Sequence, residues 1–140
     1  MKTGIVWLIG FALGIVFGLL TFIGAGLGGY WLLVGGLAIG FLTGFFLKEM
    51  GKSLGLGFVS AFVGVTVGGV IVVLALAPLL AAVPFGLGGF LGFLVVIVAV
   101  LFGLGAGILA LIGAPIGVMV GKRMAPAAQQ SSTMAQPPSM

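Results

Sequence analysis

No residue between Lys52 and Lys122 carries a charge. A stretch of that length cannot clothe a water-facing surface, because charged side chains belong almost wholly to the outside of soluble proteins. The rest of the chain is built alike. Charged residues make up 4% and hydrophobic residues 62%, where a soluble domain carries about 25% charged residues. The fold this permits is all-α and integral to a membrane, since a helix bonds its backbone amides within its own segment, as hydrocarbon demands.

A helix crosses a bilayer core of about 30 Å with roughly 20 apolar residues. Apolar runs of that kind are predicted over 5–23, 30–47, 54–76 and 90–111. "GAGLGG" separates the first two runs and "KEMGKS" the second and third. "APLLAAVPF" holds Pro78 and Pro84 and reads as a loop or interfacial turn. The region from Gly86 to Gly121 would be roughly 54 Å long as one straight helix, too long for an untilted span. A turn at "GLGAG" would leave too short a second crossing. One crossing is therefore expected, bending at Pro115 and extending to about residue 121. Residues 124–140, rich in Pro, Gln, Ser and Ala without charge, are expected to form a disordered cytoplasmic tail.

The few charges orient the bundle. With four crossings and a cytoplasmic N-terminus, Lys2, Lys48, Lys52, Lys122 and Arg123 all fall on the cytoplasmic side, the positive-inside pattern. Both termini are then cytoplasmic and the location is the cell membrane. Trp7 sits near the inner boundary and Tyr30 and Trp31 near the outer one, as interface anchors. The net charge of +4 and pI near 10.2 come from bases scattered at the ends of apolar runs, so no nucleic-acid partner is expected. Lys2 ahead of an apolar run also fits a cleaved signal peptide, which would leave three helices. The length of the run, the lack of an A-x-A site and its dispersed glycines favour retention.

Glycine recurs at every fourth position: Gly10, Gly14 and Gly18, then Gly36, Gly40 and Gly44. Ser60, Gly64 and Gly68 follow, then Gly113, Gly117 and Gly121. Residues four apart share a helix face, so each helix carries a shallow groove of small residues. In lipid no hydrophobic force drives helices together, and small-xxx-small stripes let backbones approach for van der Waals contact. The expectation is a four-helix transmembrane bundle packed by glycine stripes, a glycine zipper. Three stripes lie in the cytoplasmic half, whereas "VIVVLAL" and "FLVVIVAVLF" make the outer halves of the third and fourth helices bulky. The bundle should be tight inside and wider, or more lipid-exposed, outside. The stripes serve either one chain or an oligomer, so the partners they admit are the lipid bilayer, a second copy and a larger membrane complex.

Chemistry is scarce. The chain has no cysteine and no histidine, which removes the usual zinc, haem and iron–sulfur ligand sets, and no cofactor, metal or catalytic residue is expected. The polar residues within the crossings are Thr21, Thr43, Ser60 and Thr66; such hydroxyls bond their own backbone or a neighbouring helix. Ion-coupled transport, proton relay and voltage sensing generally require ionisable residues in the membrane, and the proposed crossings hold none. Glu49 is the single acid and reads as a solvated ion-pair partner beside Lys48 and Lys52. "GLGAG" lacks the mid-membrane carboxylate of rotary ATPase ring subunits.

"GGLAIGFLTGFFL", "GFVSAFVGVTVGG" and "GAPIGVMVGKR" together resemble small archaeal four-helix membrane proteins of uncharacterised function, over roughly Tyr30 to Arg123. That resemblance implies a fold and a location but no activity. The function expected is a structural or accessory role without catalysis; the alternative is an oligomeric passive pore of holin-like character.

Overall fold

The computed structural model describes residues 2–24 and 28–134. Helix α1 spans Thr3–Ile23, α2 Gly28–Leu47 and α3 Met50–Ala81, and a 3₁₀ turn over Pro84–Gly86 leads into α4, Leu87–Met134. Four helices are long and apolar enough to cross a membrane. The 21 residues of α1 and 20 of α2 give lengths of about 31 and 30 Å at 1.5 Å per residue. That matches a bilayer core of about 30 Å.

The long helices depart from the expected boundaries. α3 begins at Met50 rather than Leu54, so "KEMGKS" is mostly helix. Glu49 is extended at the N-cap, and the Ser53 N–H donates to its carbonyl at 2.9 Å. α3 also continues through Pro78 to Ala81, where a loop or turn was expected from residue 77. Proline removes one N–H donor, and apolar surroundings tolerate this because unwinding would strand several more amides.

α4 likewise starts at Leu87 and runs through "GLGAG" and Pro115 without a break, past the expected limit near 121 to Met134. The first part of the expected disordered tail is thus helical. Extending an existing helix needs no new nucleus, and alanine and glutamine there are good helix formers. The remainder of that tail, 135–140, and residues 25–27 of "GAGLGG" lie outside the described residues.

Two turns use left-handed backbone. Lys48, at φ 55°, ends α2 with its N–H on the Gly44 carbonyl at 3.0 Å, the bond that commonly closes a helix. Phe85 and Gly86, at φ 64° and 70°, reverse the chain between α3 and α4. Glycine adopts that conformation freely, whereas a residue with a Cβ pays about 1–2 kcal/mol.

The helices form a diamond. α2 and α3 touch across the waist, and α1 and α4 lie at opposite corners, with the Phe22 and Phe102 rings meeting at 5.7 Å. The centre is filled by Ile39, Ala61, Val65, Ala106 and Ala110, with Leu13 and Leu32 packed against them. Chain direction makes α1 parallel to α3 and α2 parallel to α4. Close backbone approaches run along both of these parallel pairs.

Candidate functional site

All the stripe residues are buried: Gly10, Gly14, Gly18, Gly36, Gly40, Gly44, Ser60, Gly64, Gly68, Gly113, Gly117 and Gly121. Their surroundings give the register of each pair. A Cβ added at Gly14 would lie 2.9 Å from the Gly64 Cα and 2.9 Å from the Ser60 carbonyl oxygen. One at Gly18 would lie 2.9 Å from the Val65 carbonyl and 3.3 Å from the Gly68 Cα. One at Gly10 would meet the Ser60 hydroxyl at 2.9 Å. The α1 stripe therefore lies on the α3 stripe, residue by residue, over its whole length.

The other parallel pair is not stripe on stripe. A Cβ at Gly36 would meet the Ala106 carbonyl at 2.8 Å, and Gly40 and Gly44 face the backbones of Ala110 and Ala114. In return Gly113 faces Leu37 and Phe41, Gly117 faces Phe41, and Gly121 faces the Phe45 carbonyl at 2.8 Å. Each helix offers backbone to the other's glycines, so the two ridges interlock.

Sequence reasoning overlooked the surfaces that complete these contacts. Ala106, Ala110 and Ala114 form a stripe at the same spacing, legible had alanine been counted as small. Gly57, Ala61, Val65 and Gly69 make a second buried face on α3, and a Cβ at Gly57 would sit 2.8 Å from the Thr43 hydroxyl. Gly103 faces Phe62 and Thr66, and Gly107 faces the Phe58 ring at 2.8 Å. "GLGAG", weighed above as a turn, is thus a mid-helix contact with α3.

The hydroxyls spend themselves on their own helices. Thr21 donates to the Phe17 carbonyl at 2.7 Å, Thr66 to Phe62 at 2.7 Å, and Thr43 to Ile39 and Gly40 at 2.9 Å each. Ser60 donates to Leu56, and Ser53 to Met50 at 3.0 Å. Among the described residues no buried side-chain oxygen or nitrogen lacks a partner. None of these hydroxyls has to be met by water or by a permeating solute.

The charged residues gather at one end. Lys2 precedes α1, Lys48 and Glu49 link α2 to α3, and Lys52 lies in the first turn of α3. Gly121 seated on Phe45 brings Lys122 and Arg123 to the axial level of α2's end. All are exposed. Glu49 pairs with Lys52 at 2.8 Å, both side chains 61% exposed, a geometry worth about 0–1 kcal/mol.

Trp7 stacks on Phe11 at 5.4 Å near the charged end. Tyr30, 70% exposed, and Trp31, set against Phe17 at 6.4 Å, lie in the opening turn of α2 at the far end. Compared with family models, curated proteins and solved structures, the chain matches none of them.

Proposed function

We propose that this chain is a structural or accessory subunit of the cell membrane, a multi-pass bundle without catalysis whose helices are held by a glycine zipper. One observation carries the reading. The Cβ position of every stripe glycine is occupied by another helix of the same chain. Packing capacity that could have built an oligomer is spent inside the monomer. The outer surface left over is bulky and apolar, suited to lipid or to a larger membrane complex.

The filled centre supports the same reading over a pore within one chain. Ile39, Ala61, Val65, Ala106 and Ala110 occupy the axis where a path would run. Orientation follows from charge: Lys2, Lys48, Lys52, Lys122 and Arg123 at one end favour both termini in the cytoplasm. The resemblance to small archaeal four-helix membrane proteins agrees with this fold and location and adds no activity.

Native mass spectrometry of the protein in lipid nanodiscs tests the reading. A monomer is expected. A discrete oligomer would overturn it and put the passive, holin-like pore first.

A further inference from the structure

The two hairpins differ in length, and the register tells where. Gly14 on Gly64 and Gly18 on Gly68 set the end of α1 level with Val73. Gly36 on Ala106 and Gly40 on Ala110 set the start of α2 level with Val98. The α3–α4 hairpin therefore extends from Leu74 to Ile97 past the ends of helices α1 and α2, by about 12–16 Å. No side chain in that segment has a nitrogen or oxygen atom.

Its surface is apolar in nearly every direction. Leu74 and Leu79 on α3 are each 68% exposed, Phe90 and Phe93 on α4 58% and 62%, and Phe85 at the tip 96%. Between the helices an open groove of about 280 Å³ runs from Val73 and Ala77 to a floor of Gly88 and Gly92. A single protein partner would cover one face of this hairpin and leave the rest of its apolar perimeter open. A helix pair that is apolar around its perimeter and to its tip has the surface of a segment bathed in hydrocarbon.

We infer that this overhang takes lipid acyl chains as its partner along its full length, so that the protein draws a thick outer leaflet around α3–α4 and selects long-chain lipids. The inference rests on the membrane reading above. α1 and α2, with Tyr30 and Trp31 at their far end, match an ordinary bilayer, and α3–α4 exceed it. The headgroup layer adds only about 5–8 Å on each side, too little to house the tip. Chains longer than average relieve that mismatch.

The test places one tryptophan at the tip, Phe85→Trp with Trp7→Phe and Trp31→Phe. Leu79→Trp in the same background is a second reporter should the first fail to fold. The proteins are reconstituted in dierucoyl and in dimyristoleoyl phosphatidylcholine vesicles. Emission is quenched by bromine on the acyl chains or by iodide in the water.

In the long-chain bilayer the tip reporter is expected to lose more than half its emission to acyl-chain bromine and almost none to iodide. Protein offered both vesicles is expected to be recovered mainly in the long-chain ones. Iodide quenching in the long-chain bilayer overturns the inference, because the tip is then in water. Shielding from both quenchers that grows with protein-to-lipid ratio also overturns it, because a second copy is then the cover. Native Trp7 and Trp31 in the parent protein report insertion itself; their quenching by bromine with iodide-accessible tips separates failure of this inference from failure of the membrane reading.

Discussion

The two ends of the α3–α4 pair are built on opposite rules. Near the charged end, residues 57–69 and 103–121 alternate small residues with large ones, and the small ones carry the contacts. Beyond Val73, bulky side chains are exposed, and Gly88 and Gly92 are where α4 meets Leu80 of α3. Leucine is worth no more against leucine than against a lipid tail, whereas backbone against backbone offers contact lipid cannot match. Tight packing in this bundle is found where side chains are missing. Where they are large, the surface is left to the bilayer.

The sharpest way to break that comparison is Gly40→Leu. The Cβ alone meets the Ala110 backbone, which cannot rotate away, so a loss of about 3 kcal/mol is expected. Leu37→Ile, which alters only an exposed side chain and leaves the backbone that faces Gly113 in place, is expected to stay within about 0.5 kcal/mol. Equilibrium unfolding in mixed detergent micelles checks both; equal stability of the two variants would end the packing account of α2.

Gly14→Ala comes next. One methyl at 2.9 Å from the Gly64 Cα forces α1 and α3 apart, for a loss of about 1–2 kcal/mol in the same assay. Gly55→Ala should act in the other direction. Nothing lies within 4 Å of its Cβ position, and alanine is the better helix former, so a gain of about 0.5 kcal/mol is expected. Opposite signs from one substitution would sharpen the comparison, since composition and length are then held constant.

The smallest effect belongs to Glu49→Gln. The pair with Lys52 is exposed, and its loss is expected to leave the melting temperature unchanged within error. A shift of several degrees would mean that the charged end contributes more than topology.

The stripes were legible because spacing alone shows that residues lie on one helix face. Gly10, Gly14 and Gly18 say that α1 has a groove. They do not say that Ser60, Gly64 and Gly68 fill it, because every helix offers a similar groove and only the whole bundle selects the pairing. The helix ends were less legible. Pro78 and Pro115 carry the marks of helix termination in water, yet α3 and α4 run through them, since in hydrocarbon an unwound segment strands more amides than a proline removes; "KEMGKS" does break the chain, but only at Lys48 and Glu49. The far-end bulk of "VIVVLAL" and "FLVVIVAVLF" pointed to the open end, but not to a hairpin that outruns its neighbours.

The parallel pairing of α1 with α3 carries a consequence for biosynthesis. A hairpin of adjacent helices can close as soon as both have left the ribosome. Here each residue of the α1 groove waits for a partner 50 residues later in the chain, as Gly14 on Gly64 shows. At about 5–20 residues per second that is a delay of roughly 3–10 s. During it, newly inserted α1 and α2 present bare glycine faces to whatever helices lie nearby, including those of other nascent copies. Crowded synthesis should then exchange hairpins between chains, and a shielding insertase or slow translation should prevent it.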